Sequence, residues 1–201
     1  MPKLDARKLL KDAYTATAQP KLVEVPPLMY FMVDGRGDPN TSPDFPLAVE
    51  MLYTLSYTLK LELKKSAPEQ DYVVMPLEGL WWAENTEDFL NPNKANWLWT
   101  LMIMQPPRVS QDEFAALKAR AAAKKSLPFE QAQLAKLDGS LSAQIMHIGP
   151  FAKEGPTIER LHEFMAAQGY VPAGKHHEIY LSDPRRTPEE KWKTILRQSC
   201  R

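Results

Sequence analysis

Apolar positions along the chain follow two different periods, and each period predicts a different element. Apolar residues recur every three or four positions in 42–65, 110–125 and 155–170, which predicts three amphipathic helices. Ser110 and Glu113 have the spacing of a capping box at the start of the second helix. A weaker helical pattern covers the first 19 residues. Short runs rich in β-branched and aromatic residues predict strands at 29–33, 71–82, 95–106, 141–150, 175–184 and 193–197.

The order of these elements contains a weak internal repeat. A strand, a glycine turn and a proline-started helix span 29–63 and again 143–168, and two strands follow each copy. This β-α-β-β order favours an α+β fold in which antiparallel sheets carry their helices on one side. Two such halves leave a central cleft at their junction, where small ligands usually bind.

The same order predicts how the chain is divided. Residues 1–20 are expected to form an N-terminal helical extension, and residues 21–201 one domain. Its halves span about 21–108 and 140–201, and the helix at 110–125 joins them.

Charge and cysteine content exclude several classes of protein. The 201 residues include 25 basic and 25 acidic side chains, so the basic excess of a general nucleic-acid surface is absent. Cys200 is the single cysteine, which rules out a disulfide within one chain. No apolar run has the length of a membrane span, and no secretory segment opens the chain. We therefore expect a cytoplasmic protein, monomeric or homodimeric, that binds neither nucleic acid nor membrane.

The sequence lacks the spacing of a metal or nucleotide site. His176 and His177 are adjacent, so on a strand they face opposite ways and cannot share one metal. The glycine-rich stretch "DGRGDP" lacks the lysine and third glycine of a phosphate-binding loop. We expect neither a metal nor a cofactor.

Four of the five tryptophans lie within residues 76–106, in a pattern that suggests a ligand site. A single tryptophan is more often part of the core, but several large rings with N–H groups that need partners favour a binding cleft. Strand alternation places Trp97 and Trp99 on one face. It separates Trp81 from Trp82 and Glu78, which share the opposite face of their strand.

A carboxylate and a phenol occur together near the end of the chain. In "KHHEIYLS", Glu178, Tyr180 and His176 share one face of the predicted strand, opposite His177. A lone glutamate on a strand is more often solvated than functional. If this face lines the cleft, however, the carboxylate lies beside a phenol among aromatic rings.

Four stretches resemble a known family: "YFMVDGRGDPN", "MPLEGLWW", "NWLWTLMIMQP" and "HHEIYLSDPRRTPEEKWKTILRQ" are similar to GyrI-like small-molecule-binding proteins. The resemblance implies two β-α-β-β halves with a central ligand cleft. It also implies that Glu178, at the position of the family's late-strand glutamate, lies at the bottom of that cleft. Relatives include gyrase-inhibitory proteins and the effector-binding domains of multidrug-responsive activators.

Two of these stretches resemble a stand-alone branch more closely. "LEGLWW" and "NWLWTLMIMQP" are similar to a branch that includes cyclopropanoid cyclopropyl hydrolases. Such enzymes open the three-membered ring of cyclopropylpyrroloindole-type toxins by adding water. The resemblance thus implies a planar aromatic ligand and a hydrolase acting on a carbon–carbon bond.

The resulting hypothesis gives each candidate residue a role. Glu178 takes a proton from water, and Tyr180 or Tyr30 donates to the phenolate that develops as the ring opens. Candidate ligand contacts are Trp81, Trp82, Trp97, Trp99, Phe31, Glu78 and His176. Two alternatives remain open: a non-catalytic module that sequesters or senses cationic aromatic compounds with Glu178 as counter-charge, and a protein that modulates gyrase through its surface.

Overall fold

All eight strands of the described chain form one antiparallel sheet. The computed structural model describes residues 4–85, 94–106 and 109–201. The strands are β1 Lys21–Val25, β2 Leu28–Arg36, β3 Leu77–Trp82, β4 Leu98–Met104, β5 Gln133–Leu137, β6 Ser140–Ile148, β7 Pro172–Tyr180 and β8 Lys193–Cys200. Their order across the sheet is β1-β6-β8-β7-β3-β4-β2-β5.

Five helices of four or more residues occur in the described part of the chain: α1 Ala6–Leu9, α2 Lys11–Tyr14, α3 Asp44–Ser66, α4 Gln111–Ala122 and α5 Gly155–Ala167. The capping box between Ser110 and Glu113 is present at the start of α4, as predicted. Pro43 is the capping residue of helix α3, and no side chain caps this helix. Helix α5 ends before Gly169, whose φ of 81° continues the chain in the left-handed region.

The predicted repeat is present, and it defines the centre of the sheet. The first half contributes β2, α3, β3 and β4, and the second contributes β6, α5, β7 and β8. Corresponding strands β3 and β7 are neighbours, so the two halves meet along this pair in the middle of one continuous sheet. The α+β fold is therefore confirmed. Two edge strands extend it: β5, which the sequence pattern did not predict, and β1, which contains the strand-like "LVEV".

The three longer helices cover one face of the sheet. The apolar stripe of α3 buries Leu52, Leu55 and Leu59 against β2 and β4. Phe114 of α4 stacks on Phe31 of β2, with ring centroids 4.8 Å apart. Helix α5 packs against β6 and β8 in a separate, smaller core. This leaves the space between α3 and α5 open above β3 and β7.

The N-terminal segment packs on the opposite face of the sheet. Instead of one helix it forms the two short helices α1 and α2, and Tyr14 is only 3% exposed. Gln144 donates a hydrogen bond to the Asp12 carbonyl at 2.7 Å, and Arg197 donates to the Ala13 carbonyl. The segment is thus anchored to the back of the sheet rather than projecting from it.

Helix length and polarity also bear on membrane insertion. Within 4–85, 94–106 and 109–201, none of the helices combines the length and the apolar character needed to cross a bilayer.

Candidate functional site

A long, open cleft of about 2340 Å³ lies over the junction of the two halves. Helix α3 forms one wall and helix α5 the other, while β3 and β7 supply the floor. Its lining residues include Phe45, Tyr53, Tyr57, Trp81, Trp82, Trp97, Phe151, Glu154, His162, His176, Glu178 and Tyr180. The predicted central cleft is therefore present, and six of the predicted site residues line it.

Glu178 lies on the cleft floor within a short hydrogen-bonded chain. Tyr180 donates its hydroxyl proton to Glu178 Oε2 at 2.8 Å, and Trp81 Nε1 donates to the Tyr180 oxygen at 3.0 Å. His176 Nε2 is 3.5 Å from the other oxygen, Glu178 Oε1. The Glu178 side chain keeps 12% of its surface exposed, so it is shielded yet reachable from the cleft.

Tyr180 stays protonated in this environment. Its burial, and next the negative charge of Glu178, raise the pKa of Tyr180 well above the usual value for a phenol. The hydroxyl therefore orients the carboxylate through a hydrogen bond and does not release its proton to water.

A glycine makes room for this chain. Gly79 on β3 pairs directly with Glu178 on β7, so any side chain at position 79 would enter the same face. A Cβ atom there would lie 2.7 Å from Trp81 Nε1 and 3.0 Å from the Tyr180 hydroxyl. The absence of a side chain at Gly79 thus permits the Trp81–Tyr180 hydrogen bond.

Glu154 is a further carboxyl group of the cleft, contributed by the turn before α5. It is 5% exposed, and its Oε1 atom makes no hydrogen bond to any residue in the described ranges. Burial, then the neighbouring charge of Glu178, raise the pKa of Glu154 to about 9, while Thr194 and Lys94 oppose this in part. At neutral pH Glu154 is therefore a neutral acid beside Glu178.

Aromatic rings form the walls around the two carboxyl groups. Trp81 stacks with Phe45 at 6.0 Å between ring centroids and meets Trp97 edge-on at 5.8 Å. Phe151, three residues before Glu154, meets Tyr180 edge-on at 5.5 Å and is 38% exposed. Such surfaces match flat, apolar organic molecules.

Lysine side chains lie over the faces of two tryptophan rings. The ammonium of Lys94 lies 4.6 Å from the ring centroid of Trp97, and that of Lys175 lies 3.2 Å from the ring centroid of half-exposed Trp82. Lys94 and Trp97 both line the cleft, so the first of these contacts shows that an indole face there attracts a cation.

Trp99 and Phe31 differ from expectation, because both are fully buried. They share the cleft face of the sheet, but α3 and α4 cover them completely. Phe45 meets Trp99 edge-on at 5.3 Å, and the Trp99 ring fits over Gly35, where a Cβ would lie 2.1 Å from it. These two rings therefore belong to the core and do not line the cleft.

Tyr30 and Glu78 also differ from expectation, because they face the other side of the sheet. Glu78 has no exposed surface; it accepts a hydrogen bond from Tyr14 at 2.7 Å and lies 2.8 Å from His177 Nε2. The Tyr30 hydroxyl is 3.4 Å from Glu78 Oε2. The register that pairs Gly79 with Glu178 sends Glu78 to the opposite face, so neither residue can reach a ligand beside Glu178.

Several cleft residues have no distinctive signal in the sequence. Glu154 precedes a proline-started helix and looks like a solvated residue at a helix start. Tyr53 and Tyr57 lie on α3 one turn apart and have the spacing of an ordinary helix face. They can be identified as cleft residues only in the folded structure, where helices of the two halves lie on either side of one cavity. In the described part of the chain, no group of three or more histidine, cysteine or acidic side chains is arranged to hold a metal.

These features define an α+β small-molecule-binding domain with its ligand cleft between two repeated halves. Residues 18–197 match the family described as GyrI-like small molecule binding domain. The chain belongs to this family, as the sequence motifs indicated.

Three solved structures from Listeria innocua resemble the chain over their full lengths. One, described as an uncharacterized conserved protein, is 36% identical with a TM-score of 0.91, covering 99% of this chain and 100% of its own. Two are described as hydrolases: one is 36% identical with a TM-score of 0.88 and covers 100% of both chains. The other is 35% identical with a TM-score of 0.86, covering 99% of this chain and 100% of its own. No curated protein matches the sequence.

Proposed function

We propose that the cleft binds flat aromatic molecules and hydrolyses the cyclopropane ring of cyclopropylpyrroloindole-type compounds. The observation that carries this proposal is the chain Trp81–Tyr180–Glu178, which holds a shielded carboxylate on the floor of an aromatic cleft.

Binding places the planar ring system between the aromatic walls. Each well-oriented ring pair contributes about 0.5–1.5 kcal/mol beyond the burial of apolar area. The rings of Trp81, Trp97 and Phe45 meet at the angles and distances such pairs prefer. A ligand held there has its reactive methylene fixed relative to Glu178, which lowers the entropic part of the barrier.

The reaction adds one water molecule to the strained ring. Glu178 accepts a proton from water as the water oxygen forms a bond to the cyclopropane methylene. The bond between this methylene and the spiro carbon breaks, and its electron pair enters the dienone, which becomes an aromatic phenolate. The phenolate oxygen then takes up a proton. The net product is a phenol in which the former cyclopropane methylene is a hydroxymethyl group.

The proton for the phenolate comes from Glu154 rather than from a tyrosine. The Tyr180 hydroxyl proton is directed at Glu178, and Tyr30 faces away from the cleft. Glu154 lines the same cleft as a neutral acid. After it has protonated the phenolate, it regains a proton by transfer from Glu178. Tyr180 is accordingly a positioning residue, and Glu178 and Glu154 are the base and the acid.

The family and its relatives support the proposal at a coarser level. The family binds small molecules, and two relatives about one-third identical over their full lengths are described as hydrolases. The hydrolysis itself is thermodynamically favourable, since ring strain is released and an aromatic ring is gained.

A second function is favoured by a lysine that lies over a tryptophan ring in the cleft. Lys94 lies over Trp97 within the cleft, so this ring would accept a cationic aromatic ligand in place of the lysine, with Glu178 as its counter-charge. In that case the protein sequesters or senses such compounds and leaves them unchanged.

Product analysis distinguishes the two functions. A spirocyclopropane dienone and a cationic planar dye are each incubated with the protein, then released by denaturation and analysed by mass spectrometry. Hydrolysis predicts that the first compound gains the mass of one water at a rate above that in buffer. Recovery of both compounds unchanged, despite binding seen by tryptophan fluorescence, would establish sequestration instead.

A further inference from the structure

The pair Glu154 and Glu178 offers a chemistry that cyclopropane opening does not require. In the spirocyclopropane the leaving group is a stabilised phenolate, so a strong proton donor gives only modest help. Yet the cleft holds a buried, neutral acid whose Oε1 atom has no hydrogen-bond partner among the described residues. Such a group is costly to bury unless a ligand atom completes its hydrogen bonding.

An acid and a base on opposite sides of a small ring are the requirements for opening an epoxide. The leaving group is then an alkoxide, which is far more basic than a phenolate and has to be protonated as the carbon–oxygen bond breaks. A carboxylic acid that retains its proton at neutral pH can supply that proton, and a carboxylate can activate water. Glu154 and Glu178 both line the cleft, and they are near enough for the charge of Glu178 to act on Glu154, so both groups face a ligand bound there.

We propose that the cleft also hydrolyses planar aryl epoxides to trans-diols, with Glu154 as proton donor to the epoxide oxygen and Glu178 as the base that activates water. This inference rests on the assignment of Glu178 as base in the proposed function, but not on activity toward cyclopropanes.

The step balances as the addition of water. The water oxygen bonds to one benzylic carbon while its proton passes to Glu178. The bond from that carbon to the epoxide oxygen breaks, and this oxygen takes the proton of Glu154. Proton transfer from Glu178 back to Glu154 restores the resting pair, and attack from the side opposite the breaking bond gives the trans-diol.

The aromatic walls define the class of epoxide. Trp81, which donates a hydrogen bond to Tyr180, stacks with Phe45 at an interplanar angle of 27°, and both rings line the cleft together with the two carboxyl groups. Polycyclic aryl epoxides match this surface, whereas small aliphatic epoxides gain no stacking.

Phenanthrene 9,10-oxide tests the proposal with the full-length protein. The wild type should form the trans-9,10-dihydrodiol well above the buffer rate, as measured by chromatography. Glu154→Gln replaces a neutral acid with a neutral amide of the same shape, so the fold should be retained while diol formation falls about 10²-fold or more. Glu163→Gln, on the exposed face of α5, serves as the control and should leave the rate unchanged.

The outcomes separate this inference from the proposed function. Cyclopropane opening by Glu154→Gln should fall only about 10-fold, because its leaving group is a weaker base. Glu154→Asp keeps the acid and should restore part of the epoxide activity that Glu154→Gln loses. Diol formation by the wild type at the buffer rate would overturn the inference, whatever happens to the cyclopropane. Unchanged diol formation in a folded Glu154→Gln protein would overturn it equally.

Discussion

Glu78 and Glu178 lie on adjacent central strands, one residue out of register, and their side chains leave the sheet in opposite directions. Glu178 pairs with Gly79 and enters the cleft, whereas Glu78 pairs with Ile179 and enters a sealed network on the back of the sheet. The sequence predicts Glu178 as the base and Glu78 as a ligand contact, but only Glu178 lies in the cleft. Glu78 instead holds the N-terminal segment through Tyr14.

Glu78→Gln is expected to lower stability without changing the chemical step. The amide weakens contacts with Tyr14 and His177 that are fully buried, so the free energy of unfolding should fall by about 1–3 kcal/mol. Urea denaturation measures that loss, and single-turnover opening of a spirocyclopropane compound should proceed at the wild-type rate. A large loss of rate in the folded variant would mean that the two faces are coupled.

How much of this arrangement could be predicted depends on the range of the interactions. Strand alternation correctly grouped His176, Glu178 and Tyr180 on one face, because side-chain direction is a local property. The face on which Tyr30 and Glu78 lie relative to Glu178 depends on pairing between strands of different halves. That register is fixed by tertiary packing around Gly79, which a single sequence does not reveal.

The positions of Trp99 in the core and of Glu154 in the cleft could not be predicted from the sequence for the same reason. Trp99 belongs to the tryptophan cluster that suggests a cleft, but its ring is packed against Gly35 and Phe45 in the core. The sequence around Glu154 does not indicate a buried acid, since the residues that act on it, Glu178 of β7 and Thr194 of β8, are distant in the chain. The division into an extension at 1–20 and a domain at 21–201 stays a prediction.

Tyr180→Phe is expected to slow hydrolysis mainly through kcat. The substitution removes the hydrogen bond that orients Glu178 and the acceptor for Trp81 Nε1, while the ring remains. A loss of about 10-fold in kcat with little change in KM would identify a positioning role. The matched control is Tyr30→Phe, which removes a hydroxyl from the other face and should cost about 1 kcal/mol of stability without slowing the reaction. Equal kinetic losses in both variants would count against the assignment.

Gly79→Ala is expected to damage ligand binding more than an added methyl group usually does. The new Cβ would lie 2.7 Å from Trp81 Nε1 and 3.0 Å from the Tyr180 hydroxyl, so both rings must shift. We expect a roughly 10-fold weaker Kd for a planar ligand, together with about 1–3 kcal/mol of destabilisation from overpacking. Gly155→Ala adds the same methyl where nothing lies within 4 Å, and it should leave both quantities near wild type. Fluorescence titration of the two variants makes the comparison, and similar Kd values would contradict it.

The raised pKa of Glu154 predicts a definite dependence of stability on pH. The folded protein retains this proton up to about pH 9, whereas the unfolded carboxyl group loses it near 4.5. Between these values the folded state binds more protons, so the free energy of unfolding contributed by this group falls as pH rises, by at most about 1.4 kcal/mol per pH unit. The contribution is complete below pH 4.5 and is lost as pH passes through about 9.

Urea denaturation of wild type and Glu154→Gln at pH 6, 7 and 8 isolates this contribution. The stability of the wild type relative to the variant should decrease steadily over the series, because the amide does not titrate. Parallel curves for the two proteins would show that Glu154 is already ionised at neutral pH, and its role as an acid would have to be abandoned.

The central claim is that the Glu178 carboxylate activates water in an aromatic cleft, and Glu178→Gln tests it most directly. Wild type and variant are incubated with the same spirocyclopropane dienone, and the hydrated product is followed by mass spectrometry while binding is followed by tryptophan fluorescence. We predict that the variant binds the compound within about twofold of the wild-type Kd but adds water about 10²–10⁴-fold more slowly. Hydration by the variant at the wild-type rate would contradict the claim.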